Sequence, residues 1–423
     1  MKAGKSFVTL SPRRRRVLGV AAAVLAVTAA GCGGGGGSST SPTSSSSSGS
    51  GTTTTTTPVN NTVTIQVNAG PASDSFNQAF ASVTICAPGS STCQTINNVL
   101  VDTGSVGLRL LASLVDVSLP ESTDSSGNLI GNCVMFADNS YAWGPVVKAD
   151  VEMAGEKASS VPLQLIGAGG FAAVPAACNT GGIPDDTAAN LGANGVLGIG
   201  VFQQDCGPAC SGSASSAPPT YFDCPSGGCS VTSVALTSQL QNPVGLFPQD
   251  NNGVLVSLPA VSAGGAPTLS GSLIFGIGTQ SNNGLGSAQV YSTDDVGNFS
   301  VSFSGQSYSE SFIDSGSNGL FFLDSPSTGL PACSDPDSGF YCPAGTAGLT
   351  VTTTGLNSAS AQIALSIANA DSLFAGNNLA FNNVGGPNPG AFDLGLPFFL
   401  GRNVFVAIQG QSTPGGTGPF WAY

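Results

Sequence analysis

The chain has 423 residues, of which 59 are glycine and 27 proline; only 8% are charged and none is histidine. Without histidine, a Ser-His-Asp or Cys-His nucleophile system and any histidine-ligated metal site are excluded, so hydrolytic chemistry would have to rest on carboxylates. Six of the ten basic residues (Lys2, Lys5 and Arg13–Arg16) lie in the first 31 positions, leaving four against 23 acidic residues, a balance that repels phosphate backbones and excludes nucleic acid as an expected partner.

In chain order, the first element is the basic cluster Arg13–Arg16 followed by an apolar run from Val17 to Gly31. A basic start, a short apolar stretch and small residues before a cysteine read as a signal peptide over residues 1–31. The run is shorter than the ~20 residues that span a bilayer. Its end, Ala29-Ala30-Gly31-Cys32, resembles a bacterial lipobox with Ala29 where leucine is usual, which implies a lipidated Cys32; without lipidation the segment reads as a plain cleaved signal and the protein as secreted. Residues 33–57 contain only Gly, Ser, Thr and one Pro. Such a stretch has nothing to bury, so 32–60 is expected to be a flexible tether holding a cell-envelope lipoprotein to its membrane by the lipid alone.

Beyond the tether, runs rich in Val, Thr, Ser and Gly predict short strands joined by turns. Val231–Gln241 is a short helical candidate. Ten cysteines remain after Cys32, and eight fall in close pairs around polar loops: Cys86 with Cys93, Cys206 with Cys210, Cys224 with Cys229, and Cys333 with Cys342. Cys133 and Cys178 are left for each other. Five disulfides suit an exported protein, whereas the irregular spacings in Gly/Pro-rich loops argue against a zinc site. The cysteine-rich insertion 206–229 reads first as a rigid surface loop, with narrowing of a cleft or binding of a partner as the alternatives.

The strongest signal is a segment that occurs twice. Residues 99–113 read VLVDTGSVGLRLLAS and residues 311–325 read SFIDSGSNGLFFLDS, with seven identities in fifteen. Each copy is an apolar strand that turns sharply at D-[TS]-G-S, where glycine tolerates backbone angles a side chain would oppose. Each is followed by an apolar-apolar-Gly return element suited to a strand passing close to the turn. These are Val196-Leu197-Gly198, 96 residues after Asp102, and Phe399-Leu400-Gly401, 87 residues after Asp314. One D-[TS]-G is ordinary turn chemistry; two, each with a return element, describe the duplication of a lobe.

On these residues the sequence resembles the pepsin-like aspartic peptidases, and an uncharacterised secreted bacterial branch of that family fits the same pattern. Ala79 to Gly104 is similar to the family's opening hairpin, Ser270 to Thr279 to the strand that opens its second lobe, and Leu396 to Ile408 to its closing segment. The resemblance implies an all-β fold of two homologous lobes, expected at 61–265 and 266–423, with a central cleft and few short helices. It implies Asp102 and Asp314 as catalytic carboxylates, interchangeable in role at this level. Thr103 and Ser315 would cross-link the turns, Gly104 and Gly316 would bring main-chain N–H groups to the carboxyls, and Ser105 and Ser317 would bond their outer oxygens. A flap is expected within Cys133–Met153, with Tyr141 as the candidate aromatic and Phe136 and Trp143 as alternatives. The implied substrate is an extended peptide or protein, cleaved by a monomer with no cofactor or metal. The alternative is a catalytically inactive, pepsin-like binding lipoprotein.

Overall fold

The structure, a computed structural model, describes residues 60–179 and 181–423. The expected signal peptide, Cys32 and all but the last residue of the tether lie outside the described residues. The fold is all-β, as expected; the longest α-helix among the described residues is the five-residue Ala370–Phe374. No described helix is long and apolar enough to cross a membrane.

The duplication in sequence is a duplication in topology. In the first half, strand Cys93–Asp102 pairs antiparallel with Ala79–Cys86, and its apolar end runs parallel to Gly195–Ile199, with Asp102 opposite Gly198. Gly195–Ile199 is buried at every position, the continuous apolar run of a strand covered on both faces. Its other edge is antiparallel to Val106–Leu111, the strand that leaves the aspartate turn. In the second half, Gln306–Ile313 runs parallel to Asn388–Leu394, which is antiparallel to Leu320–Leu323. Each aspartate turn is thus straddled by a return strand.

The second return strand is not the one expected. Ile313 pairs with Leu394, and the Asp314 N–H donates to Leu394 O at 3.1 Å, so Gly395 stands beside Asp314 as Gly198 stands beside Asp102. A Cβ at Gly395 would lie 2.1 Å from Gly319 O, which is why the position requires glycine. Gly401, the expected return glycine, follows the short helix Leu396–Phe399, adopts φ +81° and donates its N–H to Leu258 O. Two Leu-Gly pairs lie six residues apart in this stretch, and the apolar-apolar-Gly pattern selects the later one because the acidic Asp393 precedes Leu394.

The halves are joined by a shared antiparallel sheet in the order Thr62–Val67, Leu269–Phe275, Gly253–Leu258, Arg402–Ala407, Phe420–Ala422, Val290–Ser292. Leu269–Phe275, read above as opening the second lobe, therefore pairs with the first strand of the chain and with Gly253–Leu258. The main hydrophobic cluster runs without interruption from Ile65 through Leu197 and Ile313 to Val406. Further strands of the second half form a separate seven-stranded sheet.

The helix expected over Val231–Gln241 is reduced to a 3-10 turn at Leu236–Ser238. Its glutamines bond backbone carbonyls instead: Gln239 Nε2 donates to Gly207 O at 2.8 Å and Gln241 Nε2 to Leu236 O at 2.6 Å. Such side-chain bonds compete with a helical backbone, and Val and Thr here add little propensity. All ten cysteines of the described residues are joined, as Cys86–Cys93, Cys133–Cys178, Cys206–Cys210, Cys224–Cys229 and Cys333–Cys342.

Candidate active site

The two turns meet at their backbones. Thr103 N–H donates to Ser315 Oγ (3.1 Å) and Ser315 N–H to Thr103 Oγ1 (2.9 Å). Each hydroxyl then donates to the strand of the opposite turn, Ser315 Oγ to Val101 O at 2.7 Å and Thr103 Oγ1 to Ile313 O at 3.5 Å. Reciprocal bonds between residues 212 apart in sequence hold the turns in one relative position, and each buried hydroxyl both accepts and donates.

Above this cross-link Asp102 and Asp314 share a hydrogen bond. Gly104 N–H points between them, 2.8 Å from Asp102 Oδ1 and 3.1 Å from Asp314 Oδ1. Gly316 N–H donates to Asp314 Oδ1 at 2.8 Å. Ser105 Oγ donates to Asp102 Oδ2, and Ser317 Oγ lies 3.0 Å from Asp314 Oδ2. A Cβ at Gly104 would lie 2.4 Å from Asp314 Cγ, so the approach of the first turn to the second carboxyl depends on the missing side chain.

Both carboxyls are 0% exposed, and burial, the largest influence on each, disfavours the ionised form. Asp102 is pushed well above the carboxylate range, first by burial and then by the charge of Asp314 beside it. Asp314 is also raised by burial, against the hydrogen bonds it accepts from Asp102, Gly316, Ser317 and Gly104. A hydrogen bond between the two carboxyls needs a proton on at least one of them, and burial favours keeping it there at a higher pH than an exposed carboxyl would.

Beside the dyad is a cavity of about 300 Å³. Thr103, Gly104, Ser105 and Val106 form one wall, Phe312 and Ile313 another, with Val201, Phe202 and Trp421 adding apolar surface. The cysteine-rich insertion contributes too: Cys206, Gly207, Pro208 and Pro218 line this cavity. Asp205, which had no motif to mark it in the sequence, also lines the cavity. It accepts from Arg109 (3.2 Å), Asn132 (3.2 Å) and Tyr221 Oη (2.6 Å), so the largely buried Arg109 and Asp205 charges compensate each other.

Tyr141, the flap candidate, begins strand Tyr141–Met153 just after the hairpin tip. It is buried in a side cluster with Trp143, Phe222 and the Cys133–Cys178 disulfide, and it does not line the cavity. Its backbone is held by Ile183 O and by the Asp185 N–H. Phe136 belongs to another buried cluster, with Phe80 and Leu100. Neither aromatic is an exposed hairpin residue; each completes local packing.

A family model matches residues 57–423, which include every described residue, under the description "Protein of unknown function (DUF3443)". The chain belongs to the DUF3443 family. No curated protein matches this DUF3443 sequence. Among solved structures, the crystal structure of an aspartic proteinase from Irpex lacteus is similar, with 16% identity and a TM-score of 0.48 over 85% of this chain and 96% of that one.

Proposed function

We propose that this DUF3443 protein is an exported aspartic endopeptidase. The observation that carries the reading is the hydrogen-bonded carboxyl pair formed by Asp102 and Asp314 across two cross-linked turns. A water between the carboxyls would lose a proton to Asp314 as its oxygen attacks the scissile carbonyl carbon, while Asp102 gives its proton to the carbonyl oxygen. Collapse of the resulting diol breaks the C–N bond: the amine leaves with the proton from Asp314, and a diol hydroxyl returns one to Asp102. Neither a covalent intermediate nor a metal is required. The five disulfides and the basic, apolar leader support export.

Burial of both carboxyls favours a second reading, a pepsin-like lipoprotein that binds peptides without cleaving them. For catalysis, substrate must uncover the dyad: the adjoining cavity reaches Gly104 and Ser105, and neither Asp102 nor Asp314 lines it. Incubation with a denatured protein mixture across pH separates the two readings. The peptidase reading predicts acid-favoured cleavage that falls by at least about 10³-fold in Asp102→Asn and in Asp314→Asn, each still folded by circular dichroism. Saturable binding of pepstatin with no cleavage by the wild type would transfer the case to the binding protein.

A further inference from the structure

One strand of the second half ends a sheet without the features that usually close such an edge. The seven-stranded sheet terminates in Ser360–Ile367, eight residues that pair only with Ala347–Thr354. Every other strand that ends a sheet among the described residues has two or three residues: Ser230–Val231, Val290–Ser292, Gly385–Gly386, Ser412–Thr413 and Gly416–Thr417. Edge strands are ordinarily kept short, bulged, or marked with charge or proline, because their unpaired N–H and C=O groups are a template for another strand. Ser360–Ile367 has none of these marks. Its ladder to Ala347–Thr354 runs through eight consecutive pairs without a bulge, and it contains no proline and no charged residue.

The surroundings of this edge point to its occupant. Residues 338–370 contain no charged side chain, in a chain whose residues beyond 31 carry 23 acidic groups against four basic ones. Two copies of so acidic a chain repel across most faces, and this hairpin is a stretch on which they can meet with no like charges opposed. The strand is also compatible with itself. Ile363, Leu365 and Ile367 are buried, whereas Ser360, Gln362 and Ala364 are exposed. A twofold axis perpendicular to the sheet, near Ile363 or Ala364, therefore sets buried positions beside buried and exposed beside exposed.

We propose that Ser360–Ile367 is a docking edge for a second copy of this chain, which adds its own Ser360–Ile367 in antiparallel pairing and makes one continuous sheet of the two. Main-chain hydrogen bonds supply the attraction, and the uncharged hairpin admits the partner. A single strand edge buries less than the roughly 1,200 Å² of a stable interface, so the dimer is of the weak, reversible class and dissociates in the micromolar range. Dimerisation needs no substrate, so it is measured independently of the peptidase reading.

Sedimentation equilibrium of the purified chain between about 1 and about 300 µM tests the proposal. The wild type should pass from monomer to dimer across this range. Ala364→Lys and Ala364→Glu each bring like charges together at the axis, and each should weaken self-association by at least about ten-fold. An equimolar mixture of the two variants should recover a dimer of unlike copies. Ser230→Lys, on the two-residue strand that ends the larger sheet, should leave association unchanged. A wild type that stays monomeric throughout overturns the proposal and leaves the edge to a different occupant. So does a dimer that both Ala364 variants retain, or one that they lose and mixing does not recover. Loss of the dimer in Ser230→Lys would place the interface elsewhere.

Discussion

At Gly104 one N–H serves two carboxyls, and the position tolerates no side chain. Gly104→Ala places a methyl group against Asp314, and we expect it to lower kcat by about 10²-fold or more by displacing that carboxyl; activity within two-fold of wild type would show that the turns do not approach as described. Protonation of the pair leaves a mark on stability as well. Asp102 and Asp314 are both held above the ordinary carboxylate value, so the fold favours their protonated forms. The stability this contributes is complete below the unfolded carboxylate pKa, about 4, and is lost as pH rises through the folded values. Replacement of Asp102 by Asn removes one such group, and the fall in Tm from pH 4 to pH 7 should become smaller than in the wild type. An unchanged fall would mean that Asp102 is not the proton carrier. Asp102 and Asp314 were legible because each sits in a repeated fifteen-residue segment. Asp393, whose Oδ2 accepts from Ser317 Oγ at 2.6 Å, was not, since a single acid in an apolar strand carries no sign that it reaches a hydroxyl contributed by another turn.

Among the elements, the return strands carry the geometry. Gly198 lies against the Val106 backbone, where a Cβ would come within 2.7 Å, and Gly395 lies against Gly319 O and Ser317 O. Gly395→Ala should therefore cost about 2–3 kcal/mol of stability and depress kcat together with it. Gly401→Ala meets only Ala260 at 3.1 Å and a left-handed backbone, and should cost about 1 kcal/mol with kcat unchanged. Thermal unfolding and hydrolysis rates of the two variants test the reassignment of the return glycine; equal effects on kcat would contradict it. The first return strand was readable because Asn190 precedes the nearby pair Leu191-Gly192, so only Val196-Leu197-Gly198 fits the apolar-apolar-Gly pattern. In the second half the true return pair Leu394-Gly395 follows the acidic Asp393, so the pattern selects Phe399-Leu400-Gly401 and only strand register corrects it. The near-neighbour disulfides could be read from spacing, as loops of a few residues close readily. Cys133–Cys178 spans 45 residues and followed only as the remainder.

For the molecule as a whole, the site is a property of two halves held together. The shared sheet pairs residue 62 with residue 274 and residue 253 with residue 407, contacts too distant in sequence for local pattern to register. A second tie is Asn77, fully buried with φ +47°, whose Nδ2 donates to Asn318 O at 2.9 Å and Phe381 O at 3.0 Å while its Oδ1 accepts from Phe381 N–H at 2.7 Å. These bonds tie the first half to the segment just after the Ser315–Ser317 turn. What composition and repeats conveyed was the class of fold and the pair of turns; what they withheld was how deeply the pair is buried and which loops wall the cavity beside it. The account's central claim is that Asp102 and Asp314 act as one acid–base unit. The most direct measurement is the hydrolysis rate of the Asp102→Asn/Asp314→Asn double variant beside the two single variants. A double loss no greater than either single loss is the predicted result; losses that multiply, or a single variant that keeps wild-type activity, would contradict it.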